Sequence, residues 1–142
     1  MGFKLVGGFP DSFTVQAPVT AGTAIAEGDA LDISGNVLQR ATASSTIHTL
    51  FGIAAETITT AAALILVRPV CQGQVYQGDM KNNTHATNQI FESAIFEDHD
   101  SIDNTGTDVT GPTGIWLMLS PIGAVGDKKC LGEFTRLQST ST

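Results

Sequence analysis

The side chains with chemical potential are few and scattered. The histidines are His48, His85 and His99, and none sits in a G-x-S-x-G, H-E-x-x-H or Cys-His signature. Serine and threonine are abundant, but a nucleophile needs a base held beside it, and no spacing marks such a pair. There is no Walker loop and no dinucleotide-binding glycine fingerprint; Gly7-Gly8 stands alone. Cys71 and Cys130 form no CxxC pair and are too few for a zinc site. The densest run of oxygen ligands is Glu97-Asp98-His99-Asp100-Ser101-Ile102-Asp103-Asn104-Thr105-Gly106-Thr107-Asp108. Counted from Asp98, it places Ile102 at the fifth position of a calcium loop, Asp103 where glycine is needed, and Val109 where the closing glutamate belongs. The run reads as a solvated acidic loop spanning 97–114, with a cation or a receptor as its conceivable ligands. No catalytic residue, metal ligand or cofactor is expected.

Composition narrows the partners. The chain has 142 residues, a net charge of −7 and only 15% charged residues. Soluble domains carry roughly 25%. Nucleic-acid binding needs a basic stripe that releases counterions, and Lys128-Lys129 is the single basic pair. An anionic membrane surface repels such a chain, and the longest apolar run, Ala61 to Val67, is too short for a span. Met1 to Val6 lacks a secretory apolar run and cleavage site, so synthesis in a cytoplasm with reduced, buried thiols is expected. A neutral, charge-poor surface points to protein contacts and to an oligomer.

The dominant hydropathy period is two, the period of a strand. Phe13, Val15, Ala17 and Val19 alternate with polar residues and predict a strand with one buried face; Pro18 places it at an edge or at a break in pairing. Gly28-Asp29 reads as a turn leading into a strand at Leu31 and Ile33, and Gly35-Asn36 reads as a hairpin turn before Val37 to Ala41. Leu50 to Glu56 alternates. Leu64 to Val70 is a continuous apolar run expected to be a central strand, reached from Thr57–Ala63 by a turn. Val75-Tyr76-Gln77-Gly78-Asp79-Met80 echoes Ile25 to Ala30, so the turn-into-strand device is expected again at Gly78-Asp79. Asn88 to Phe96 has helical spacing and is the one helix candidate. Ile115 to Leu119 is apolar on both faces: one face fills a core, and the other, with Trp116 and Met118, is expected to meet a partner. The reading is a mainly β chain, a small β-barrel or tulip-like domain over residues 13–137 with at most one short helix. Residues 138–142 are a polar tail.

Residues 1–12 allow two readings. Phe3, Leu5, Val6 and Phe9 are too apolar for a free tail. They are either the domain's first strand or an arm lent to a neighbour by strand addition.

The stretch Val19 to Thr42, followed by Leu50-Phe51-Gly52-Ile53-Ala54-Ala55-Glu56 and Leu66-Val67-Arg68-Pro69-Val70, resembles the capsid decoration, or cement, proteins of tailed bacteriophages. The shared sketch is a Gly-Asp turn before an apolar residue, a hairpin ending in an Ala-Thr return, a Gly-Ile-Ala strand and a strand ending in Val. It covers about the first half of the chain. The resemblance implies a β-barrel or tulip-like virion protein. It implies a homotrimer on the outer surface of a phage head, bound to the major capsid protein and clamping its subunits. On that reading Phe3, Leu5, Val6, Phe9, Trp116 and Met118 are candidate contacts, with the loops at Gly28, Asp29, Gly78 and Asp79 held in reserve. The alternative is a tail or head-fibre module that binds a host glycan or receptor through the 97–114 loop.

Overall fold

The computed structural model describes residues 2–8, 13–82, 89–105 and 112–135. Eleven strands appear among them: β1 (Lys4–Gly8), β2 (Val15–Pro18), β3 (Ala30–Ser34), β4 (Val37–Arg40), β5 (Leu50–Ala54), β6 (Leu64–Pro69), β7 (Gln74–Met80), β8 (Ser93–Asp98), β9 (Ser101–Asp103), β10 (Trp116–Ile122) and β11 (Lys129–Phe134). A single turn of 3-10 helix, Val125–Asp127, precedes β11. The chain is mainly β, as its period-two patterning predicts.

One sheet runs β1-β7-β11-β10-β8-β9 and closes where β9 pairs in parallel with β7, through Asp79↔Ser101 and Met80↔Ile102. Strands β7, β11, β10, β8 and β9 thus make a five-stranded barrel, with β1 laid along the remaining edge of β7. Alternation fills it. Tyr76, Gly78, Met80, Ala94, Phe96, Trp116, Met118, Cys130, Gly132 and Phe134 are all buried, while their strand neighbours are partly exposed. The second sheet is antiparallel in the order β2-β6-β5-β3-β4. It curls until Val19 bridges Leu38, and the Thr20 amide donates to the Leu38 carbonyl at 2.9 Å. Its concave face holds a smaller core of Val19, Ile25, Leu31, Leu38, Ile65 and Val67. Its other face sends Ala30, Leu50 and Ile53 into the barrel's core, so both sheets share one cluster.

Aromatic stacking organises the barrel. Phe134 lies 4.9 Å from both Phe3 and Trp116 and 5.2 Å from Tyr76, ring centre to ring centre, each edge-on. Edge-to-face pairs of this kind add roughly 0.5–1.5 kcal/mol beyond area burial. The indole fits only because strand neighbours lack side chains. A Cβ on Gly132 would collide with the Trp116 ring, and one on Gly78 would sit 2.9 Å from the Phe3 ring and 3.1 Å from the indole.

Phe3 decides between the two readings of the N-terminal segment. It is 4% exposed. Its amide donates to the Gly28 carbonyl at 2.8 Å, and β1 pairs with β7 through Lys4↔Gln77 and Leu5↔Tyr76. Lys4–Gly8 therefore pairs along β7 in the chain's own sheet with Phe3 in its core, as the first-strand reading has it. A register break between Leu5 and Gly7 leaves Val6 as the extra residue of a bulge, which turns its side chain outward at 54% exposure. Phe9 lies outside the described residues.

Other expectations are met or corrected residue by residue. The Gly35-Asn36 hairpin, the turn through Thr57–Ala63 and the edge position of Pro18 are present. The helix expected over Asn88–Phe96 is instead a turn leading into β8, and Asn88 lies outside the described residues. Pairing of Ala94 with Trp116, and of Phe96 with Ile102, outweighs the local helical spacing. Gly78-Asp79 is not a second turn: it lies within β7, where glycine admits the two rings. Phe13 does not share the buried face of β2; it is 60% exposed. The acidic loop expected over 97–114 is in part β9, with Ser101, Ile102 and Asn104 buried.

Removing the Phe3 ring should lower unfolding free energy by about 3–5 kcal/mol, the usual loss for Phe→Ala in a core. Gly132→Ala should be destabilising by at least 1–3 kcal/mol, roughly the cost of overpacking. Urea unfolding of both variants checks this. A cost near zero for Phe3→Ala would return the segment to the status of an arm.

Candidate functional site

The expected contact residues fall into two groups. Trp116 and Met118 are wholly buried in the barrel and present no surface to a partner. Alternation explains the correction: the outward residues of β10 are Leu117 and Leu119, both partly exposed. Phe3 is likewise interior and Leu5 is half-buried, which leaves Val6 as the exposed one among the described members of the N-terminal set.

The reserve loops are also structural. Gly28 turns the chain at φ +96, a conformation that favours glycine, and packs against the backbone of Gly2 and Phe3. Asp29 is buried, and its Oδ2 accepts from the Ala26 amide at 3.0 Å. Asp79 accepts from Lys129 Nζ at 3.2 Å and from the Gly2 amide at 3.3 Å. These last groups border a cleft of about 510 Å³ between the barrel and the second sheet. Lys4, Arg68 and Lys129 on its walls face Glu27 and Asp79, so basic groups outnumber acidic ones by one.

A polar cluster joins the two sheets at His99. The ring's Nδ1 is 3.1 Å from Asp29 Oδ1, and its Nε2 is 3.3 Å from Arg40 Nη1 and 3.8 Å from Asp98 Oδ2. Ligand atoms of Asp98, His99 and Asp100 lie within 4.8 Å of one another. The Arg40 guanidinium, however, occupies the direction in which Nε2 would offer its lone pair. Nδ1 is buried without a hydrogen-bond partner despite its closeness to Asp29, and the group is not assigned to a metal.

The remaining chemistry is interior. Asp32 is buried and accepts from the Ser45 hydroxyl; burial raises its carboxyl above the ordinary value, and the hydrogen bonds offset this only in part. Burial pushes the Tyr76 phenol up to about 12 and raises the Cys130 thiol. Neither cysteine is in a disulfide; Cys130 is buried and Cys71 half-buried, short of the full burial expected for both.

What the described residues do expose is apolar surface: Val6, Phe13, Ile33, Leu64, Leu66 and Phe91. Two of them share one strand face. In β6, Ile65 and Val67 point into the smaller core while Leu64 and Leu66 point out, at 48% and 36% exposure. Across the ladder Leu64 faces Pro18 and Leu66 faces Gln16, so the strip continues uncharged onto β2. The run was legible as a strand but not as one with a bare face, because hydropathy alone does not distinguish a strand covered on both sides from one with an apolar face in solvent. The chain matches no known protein family and no curated relative.

Two outcomes follow. In the native protein Cys71 should react with a thiol reagent well before Cys130, and Cys130 should react fully only after unfolding; equal native rates would contradict the packing. Asp32, with its native carboxyl raised, binds a proton more tightly folded than unfolded. Its ionised form therefore costs stability above its raised value, and the cost disappears below the ordinary 3.8. Asp32→Asn should accordingly be more stable than the parent at pH 7, with the advantage fading as pH falls towards 3.8 and below. Thermal melts across that range check it, and an Asn variant less stable at pH 7 would contradict it.

Proposed function

We propose that this chain is a structural virion protein. It binds the outer surface of a phage head, on the major capsid protein, as a homotrimer, and stabilises the capsid across subunit boundaries. The observation that carries the reading is the exposed apolar pair Leu64 and Leu66 beside Pro18, bordered by Arg68 and Glu56. Apolar surface of this kind on a chain with 15% charged residues suits a protein contact. The stretches that resemble cement proteins, 19–42, 50–56 and 66–70, supply β3, β4, β5 and most of β6. The resemblance and the bare strip thus coincide on the second sheet.

A capsid contact made there also leaves the barrel free to act as a rigid body. Rigidity matters for a clamp, because ordering a loose segment on binding would subtract from affinity. The receptor-binding alternative rested on the 97–114 loop, and β9 with its buried Ile102 reduces the exposed loop available to it.

The double variant Leu64→Glu/Leu66→Glu should melt like the parent and lose at least tenfold in affinity for empty heads. Co-sedimentation with heads, alongside circular dichroism, reads both. The parent should sediment as a trimer at micromolar concentration and ignore host envelopes. Unchanged decoration by the double variant, a stable monomer, or binding to envelopes in place of heads would contradict the proposal.

A further inference from the structure

Phe91 belongs to neither core cluster and is 73% exposed. Its backbone sits at φ +68, a region that bulky residues rarely adopt. The geometry is that of a bulge at the entrance to β8. The Phe91 amide donates to the Met118 carbonyl at 2.7 Å, and the Met118 amide donates to the Glu92 carbonyl at 3.0 Å, so two residues oppose one. Where the first residue of such a bulge is left-handed, it is ordinarily glycine. Here that position carries an aromatic ring and holds it out to solvent. Backbone strain kept at a residue with no packing role points to a role for the ring outside its own fold.

The second sheet carries a socket of matching chemistry. An apolar pocket of about 180 Å³ lies between β2 and the β3–β4 hairpin, walled by Ala17, Pro18, Ile33, Val37, Leu38 and Phe51. An apolar cavity of about 150 Å³ is enough to admit a benzene ring. None of the residues lining the pocket is charged, and Phe91 is not among them, so the ring does not fill its own socket.

We propose that Phe91 of one copy seats in this pocket of the next copy, head to tail, and that such contacts close the ring of the homotrimer. The inference rests on the trimeric assembly proposed above. A contact between two different patches of the same chain generates a closed ring when its rotation closes, whereas a two-fold dimer uses one patch twice. Charge favours this pairing. Each copy carries −7, so the contact must be made by uncharged groups, and both the ring and the socket are uncharged. The knob is also pre-organised: its backbone is tied to β10, and seating it orders only the ring. Pro18 borders the pocket and also faces Leu64 across the ladder, so the contact between copies adjoins the strip that meets the head.

Sedimentation of the full chain at micromolar concentration, with circular dichroism as the check on folding, tests this. Phe91→Gly removes the ring and suits the left-handed backbone, so it should fold as the parent does and sediment as a monomer. Ile33→Glu puts a charge on the pocket wall at a residue already 41% exposed, and should do the same. Phe13→Ser, at another exposed ring outside the pocket, should remain a trimer. With p-benzoylphenylalanine in place of Phe91, irradiation should cross-link one copy to residues 17–18 or 33–38 of another. A folded trimer in the Phe91→Gly or Ile33→Glu variant would overturn the inference, as would a Phe13→Ser variant that falls apart equally or cross-links that land elsewhere. A monomeric parent would overturn it together with the trimer. A trimer that needs Phe91 but ignores phage heads would uphold this contact and remove the virion reading; a trimer indifferent to Phe91 that still decorates heads would do the reverse.

Discussion

The structure depends on one steric fit: the Trp116 indole laid across the bare backbone of Gly132 and Gly78, with Phe134 edge-on to it and Phe3 tilted against it. A barrel of five short strands has little room inside. Two strands give up their side chains at the point where the largest ring enters, and the N-terminal strand closes the gap with Phe3. Everything else follows from that closure. The β1–β7 pairing puts Gly2 and Phe3 against Gly28. The Gly28 turn aims β3 into the second sheet, and Ala30, Leu50 and Ile53 of that sheet seal the barrel.

This fit separates structural residues from those available for binding. The aromatic, glycine-rich and N-terminal features that stand out along the chain are occupied with holding the barrel together. The surface left for a partner is plainer: Leu64 and Leu66 of β6 beside Pro18 and Gln16 of β2, on the sheet that the barrel carries. The division has a physical basis. Large rings gain most when buried, and most of the described rings are, although Phe13 and Phe91 stay exposed.

Much of the fold was legible because strand alternation is a local signal. Leu31 and Ile33 with the Gly35-Asn36 turn, or Leu50 to Ala54, declare themselves without long-range information. What was not legible is what two distant segments decide together. Ile90 to Ile95 has the spacing of a helix, and only pairing with Trp116 and Ile102 makes its C-terminal half a strand. Gly78-Asp79 resembles Gly28-Asp29 in sequence, yet one pair sits inside a strand and the other turns, because the neighbours of Gly78 are rings 38 residues away and at the N-terminus. The surroundings of His99 were hidden for the same reason: Asp29 and Arg40 approach its ring from positions far away in the sequence. The bare face of Leu64 and Leu66 was hidden because hydropathy does not encode which side of a strand a sheet covers.

The account's central claim is that the N-terminal strand is interior and that attachment is made by the second sheet. Hydroxyl-radical footprinting of the protein, free and bound to phage heads, tests both halves at once. The account predicts that Phe3 is unreactive in either state, and that Leu64 and Leu66 are reactive when free and protected when bound. A Phe3 that is reactive when free and protected on heads, with Leu64 and Leu66 unchanged, would contradict it.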